Sequence, residues 1–305
     1  MTTQLDNAKL KQLQLFARGV VDGLTGGRHR SKHRGSSVEF KEHRGYARGD
    51  SPRTIDWKLY GKTDRLFIRQ FEDETSLRSI LLVDQSGSMG YAGSRSQGLT
   101  KHDYAIQLAA SIATLLLQQQ DAVGLATINK SLQQFLPPRS NGAHLRTMIS
   151  TLSESTPQGE TSLGDALLEA AQQLRHRGVS RGIVFILSDF FDDIQSLRPA
   201  LQHFLKQGHE VIAFTIWDHD ESNFPFQGRT QFRSLESGRE RILDSNAFRS
   251  RYLAKVREFR QQLADEFASL RVGSIFCSTD EDCTEVLRAW LHQRQRSVQR
   301  AGVKP

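Results

Sequence analysis

Short apolar runs recur along most of this chain, and the segments between them carry a helical period. The runs are Ile80-Leu81-Leu82-Val83 and residues 122–128, 183–187 and 211–217. Run 183–187 has no polar interruption, as expected of a strand buried on both faces. Between the runs, Ala105, Leu108, Ala109, Ile112 and Leu116 share one helical face, and Leu163, Ala166, Leu167, Ala170 and Leu174 share another. Strands that alternate with helices predict an α/β chain with a doubly wound, mostly parallel sheet. Residues 132–136 read as the hairpin partner of 122–128. Residues 145–152, 197–205, 248–270 and 281–292 read as further helices, and 272–277 as a last strand. Thr100-Lys101-His102-Asp103 reads as a helix start, because a hydroxyl and a carboxylate three residues apart can cap each other's backbone amides.

The first part of the chain is different. Residues 5–21 form one amphipathic helix by pattern, and Gly23, Gly26 and Gly27 break it. Residues 28–78 are rich in Arg, Lys, His and Gly, with β segments expected at 37–40 and 66–71. The predicted organisation is an N-terminal helix at 1–22, a small β-containing basic appendage at 23–78, a sheet domain at 79–296 with an insertion at about 219–245, and a basic tail at 297–305. The 305 residues are 37% hydrophobic, enough for a sizeable core. A net charge of +7 is only a weak hint of nucleic-acid binding. The first 15 residues hold no apolar signal core, and the longest apolar stretch, 105–117, is too short and too often interrupted to span a bilayer. These features predict a soluble, cytoplasmic chain with no membrane insertion. Cys277 and Cys283 are too few for a disulfide framework or a zinc cluster and read as reduced thiols.

Ligands of doubly wound sheets bind at the carboxyl ends of the strands. Asp84 ends one apolar run, in Asp84-Gln85-Ser86-Gly87-Ser88, and Asp189 follows another. A carboxylate and two hydroxyls offer oxygen donors alone, the ligands that hard divalent cations prefer. By itself D-x-S-x-S reads better as a turn whose side chains satisfy the backbone. The sheet order, however, brings Asp84, Ser86 and Ser88 towards Gly159-Glu160-Thr161 and Ser188-Asp189. In these residues the chain resembles the von Willebrand factor A domain, a Rossmann-like fold, and its metal-ion-dependent adhesion site. The resemblance implies a Mg²⁺ or Mn²⁺ site. Ser86 and Ser88 would bind directly, Thr161 directly or through water, and Asp84 and Asp189 mainly through water. It also implies that an acidic side chain of a partner completes the shell.

Residues 44–57 narrow the family. Arg44-Gly45-Tyr46-Ala47-Arg48-Gly49-Asp50-Ser51-Pro52-Arg53-Thr54-Ile55-Asp56-Trp57 resembles the R-x-Y-x-x-G-D-x-x-R-x-I-D-W signature of the bacterial domain-of-unknown-function family fifty-eight. Phe71-Glu72-Asp73-Glu74 and Leu235-Glu236-Ser237-Gly238 agree with it. The resemblance implies a partnership with an AAA+ ATPase of the MoxR type, with or without a client protein offering an acidic side chain. From the residues themselves, Arg44, Arg48 and Arg53 can pair with Asp50 and Asp56, while Tyr46, Ile55 and Trp57 can pack.

Other readings are less favoured. The basic run at 28–34 could contact phosphate, but nucleic acid is not the expected partner, since no aromatic residues interleave it. Asp218-His219-Asp220-Glu221 reads as a solvated acidic loop on the metal-bearing edge. No enzyme is expected: there is no P-loop, no G-x-S-x-G elbow, and Ser86 stands where an aspartyl phosphatase would place its second Asp. The rival readings are metal-dependent phosphoester hydrolysis at the same ion and nucleic-acid binding through the basic N-terminal region.

Overall fold

The computed structural model describes residues 2–25, 39–46, 55–72, 78–160, 162–179 and 181–302. The chain forms two compact units, Arg28–Ser76 and Met1–Gly27 with Leu77–Pro305.

The larger unit is built on six strands: β3 (Arg78–Asp84), β4 (Ala122–Ile128), β5 (Leu132–Arg139), β6 (Gly182–Ser188), β7 (His209–Trp217) and β10 (Gly273–Ser278). Their order across the sheet is β10-β7-β6-β3-β4-β5. Every neighbouring pair is parallel except β4 with β5, the expected hairpin. This is the doubly wound, mostly parallel α/β sheet that the sequence predicts. Counting strands along the chain gives the 3-2-1-4-5-6 order, with the reversal between β3 and β6.

The period of two sorts each strand onto two faces. Leu81, Val83, Phe185, Leu187, Ile212 and Phe214 join one core layer. That layer is covered by α1 (Thr2–Thr25), α3 (Lys101–Gln118), α4 (Gly142–Glu154) and α9 (Cys283–Gly302). Ile80, Leu82, Val184, Ile186, Val211 and Ala213 join the other, under α5 (Leu163–His176), α6 (Ile194–Lys206) and α8 (Ser245–Leu270). The helix start expected at Thr100 is a reciprocal cap: the Asp103 amide donates to Thr100 Oγ1 at 3.0 Å, and the Thr100 amide donates to Asp103 Oδ2 at 3.1 Å. No helix among the described residues is long and apolar enough to cross a membrane.

Between β7 and α8 the chain adds α7 (His219–Asn223) and a hairpin of β8 (Arg229–Arg233) and β9 (Glu240–Asp244). Phe224 holds this insertion to the body, its ring 4.5 Å from Tyr252 and stacked 5.7 Å from Phe232.

In the smaller unit, β1 (Glu39–Gly45) pairs antiparallel with β2 (Phe67–Glu72), and Ile55 bridges to Ile68. Asp56 caps α2 (Trp57–Thr63): its Oδ1 accepts from the Lys58 and Leu59 amides at 3.0 and 3.1 Å. That cap gives the Asp of the I-D-W triplet a structural task. Trp57 was expected to pack, but it is 62% exposed and meets Tyr60 edge-on. Residues 28–34 and 47–54, with Arg48, Asp50 and Arg53, lie outside the described residues, as does the side chain of Arg44.

Candidate metal centre

Because β3 and β6 are parallel neighbours, Val83 lies opposite Leu187 and the two strands end together. The chain leaves β3 towards one side of the sheet and β6 towards the other, which opens a crevice at the reversal point. Asp84 and Asp189 stand at this crevice, 1% and 2% exposed.

The Asp84 carboxylate is fixed at both oxygens. Its Oδ1 accepts from the Ser86 amide at 2.8 Å, and its Oδ2 accepts from Ser188 Oγ at 2.6 Å. Burial, and then the charge of Asp189, push its carboxyl up to about 7. Ser86 is buried, and its Oγ lies 3.1 Å from Ser88 Oγ. Two oxygens bound side by side on an octahedral Mg²⁺ lie about 3 Å apart, so this spacing suits such an ion. The loop is fastened by three backbone bonds to two neighbouring segments: Gln85 N to Ile128 O at 2.7 Å, Gln158 N to Gln85 O at 2.9 Å, and Gly87 N to Gly159 O at 3.0 Å. A Cβ on Gly87 would stand 2.7 Å from the Leu235 carbonyl oxygen and 2.9 Å from that of Gly159, so only glycine fits there. The same contact sets the turn of the β8–β9 hairpin against the loop.

Of the five residues expected at the site, Asp84, Ser86, Ser88 and Asp189 are brought to one end of the sheet. Thr161 lies outside the described residues. Among the described residues, no three His, Cys, Asp or Glu side chains converge as metal ligands. An ion at this crevice would therefore depend on the hydroxyls.

One participant was not anticipated. Lys101, in the first turn of α3, is fully buried. Its Nζ donates to Asp189 Oδ2 at 2.7 Å and to Glu221 Oε1 at 2.6 Å, and lies 4.9 Å from the centre of the Phe191 ring. The other Asp189 oxygen accepts from the Phe191 amide at 3.1 Å, and Trp217 Nε1 donates to the Asp189 carbonyl at 2.8 Å. Burial pulls the Lys101 ammonium down, but Asp189 and Glu221 outweigh it and the net direction is up. Burial raises the Glu221 carboxyl despite the attraction of Lys101. Two carboxylates, those of Asp189 and Glu221, thus share one ammonium, and the Asp84 carboxyl feels the charge of Asp189.

The stretch 218–221 is not the solvated acidic loop expected from its composition. Asp218 and Asp220 are 0% and 2% exposed. Asp218 Oδ2 accepts from the Gly93 amide at 3.0 Å and from Thr279 Oγ1 at 2.6 Å. Asp220 Oδ2 accepts from the Ser94 amide at 2.7 Å, and its Oδ1 from Ser94 Oγ at 2.7 Å. Asp218 and Glu221 also form a reciprocal cap on α7. These carboxylates are buried because they supply acceptors that the segment after the D-x-S-x-S loop needs. The Asp218-x-x-Glu221 spacing signals the cap, but nothing local signals the contacts with Gly93 and Ser94.

The family model described as Protein of unknown function DUF58 matches residues 42–262. An uncharacterized protein of Mycobacterium tuberculosis, Rv1480, is 27% identical over 293 residues, covering 95% of this chain and 90% of that protein. Among solved structures, an aerotolerance-related membrane protein from Bacteroides fragilis aligns at 17% identity and a TM-score of 0.49, over 71% of this chain and 97% of that one. The SpRpn10 VWA domain aligns at 13% identity and a TM-score of 0.40, over 70% and 94%. The description of the Bacteroides protein as a membrane protein runs against the expectation of a cytoplasmic location. The lack of a membrane-crossing helix among the described residues does not restore it.

Proposed function

This chain belongs to the DUF58 family, and from that premise we propose that it is a metal-dependent protein-interaction module that docks onto a MoxR-type AAA+ ATPase or its client. The von Willebrand factor A-like fold suggests an interaction module. The observation that carries the metal reading is the pair of serine hydroxyls, 3.1 Å apart beside a buried carboxylate at the reversal point of the sheet. Ser86 and Ser88 would hold Mg²⁺ or Mn²⁺ directly, joined by Thr161. Asp84 and Asp189 would orient its waters. The bound ion supplies a positive charge that the neutral hydroxyls leave largely unquenched, and so a site for an acidic side chain of the partner.

The chain's own residues do the positioning. Ser188 and the Ser86 amide lock the Asp84 carboxylate. The three backbone bonds at Gln85 and Gly87 hold the loop before any ion arrives. Such preorganisation lowers the ordering cost of docking. The test is co-purification with a MoxR-type ATPase encoded beside this protein's gene. We expect retention in Mg²⁺, and loss in EDTA and in Asp84→Ala. Equal retention in all three would remove the metal from the interface.

A further inference from the structure

Lys101 has no task in the proposed docking, yet its placement is costly. A lysine is almost never fully buried unless it is paired, because removing the ammonium from water costs several kcal/mol. Here it pairs with Asp189 and Glu221 from two other elements, at 2.7 and 2.6 Å. Asp189 is one of the two carboxylates that the metal reading relies on. Its Oδ2 faces the ammonium and its Oδ1 the Phe191 amide. A dication in the crevice must share this carboxylate with a charge that cannot leave.

We propose that Lys101 is a positioning residue that competes with the metal for Asp189 and so holds the resting metal affinity of the site low. Glu221 tunes the competition, since it takes part of the ammonium's charge away from Asp189. A site with low resting affinity suits reversible docking, because the partner's carboxylate then contributes a large share of the holding force. This inference rests on the metal reading above.

The test uses Mn²⁺ alone, followed by loss of the free-ion signal in electron paramagnetic resonance, with the full chain and its Lys101→Met and Glu221→Gln variants. Thermal melts check that each variant is folded. A unit charge a few ångströms from a bound cation predicts that Lys101→Met binds Mn²⁺ about ten- to a hundredfold more tightly than the unaltered chain. A merely structural role for Lys101 would loosen binding, never tighten it. Equal or weaker binding by a folded Lys101→Met protein overturns the proposal. If that variant does not fold, Glu221→Gln decides: weaker Mn²⁺ binding supports the proposal, and unchanged or tighter binding overturns it. No Mn²⁺ binding by the unaltered chain or by either variant would take down the metal reading itself, and this proposal with it.

Discussion

At the scale of single residues, buried polar groups are where this protein departs from its pattern. His102, next to Lys101, is 2% exposed, with Nε2 3.2 Å from Ser155 Oγ. Burial holds its ring down at about 4, below the 6.5 usual for a histidine. The folded state therefore binds this proton less readily than the unfolded chain does. Its contribution to stability is intact above pH 6.5 and falls between there and pH 4, by roughly 3 kcal/mol in all. Urea denaturation of the chain and of His102→Asn at pH 7 and pH 4.5 checks this. The variant should lose distinctly less stability on acidification, and parallel losses would show that another group carries the effect. Lys101 and His102 also mark what the sequence hid. Both read as ordinary residues of a helix's first turn. Lys101 meets Asp189 across 88 positions and Glu221 across 120. No local period encodes a meeting at that separation.

At the scale of elements, the strands were legible because parallel strands buried on both faces must be apolar almost throughout. Residues 183–187 show this directly within β6. The cap on α3 was legible because it is made within four residues. The insertion's contribution was not. Its α7 reads as acidic surface, whereas Asp218 and Asp220 bind the backbone of Gly93 and Ser94. This ties α7 to the segment that follows the D-x-S-x-S loop. Asp218→Ala would leave the Gly93 amide and the Thr279 hydroxyl without their acceptor, and should cost about 3 kcal/mol. The fall in melting temperature measures it. A change near zero would mean that water replaces the carboxylate and that the fastening is dispensable. Gly93 itself has no room for a side chain, since a Cβ there would stand 1.9 Å from Asp218 Oδ1.

At the scale of the whole molecule, a doubly wound sheet carries its crevice wherever the winding reverses, whatever the chemistry placed there. In this chain the reversal gathers four of the five expected site residues, a buried ammonium and the turn of the β8–β9 hairpin. The sequence showed the carboxylates and hydroxyls because each lies at the end of an apolar run. It could not show the charge balance among them, which depends on α3 and α7 arriving at the same edge. The site that results sets its one ammonium against Asp189 and Glu221, and its two serine hydroxyls are spaced for a hard ion. Isothermal titration with Mg²⁺ tests this account most directly, using the full chain beside a folded Ser86→Ala/Ser88→Ala double variant. The account predicts one equivalent of Mg²⁺ on the full chain and none on the variant. Identical titrations, or no heat of binding to the full chain at millimolar Mg²⁺, would contradict it.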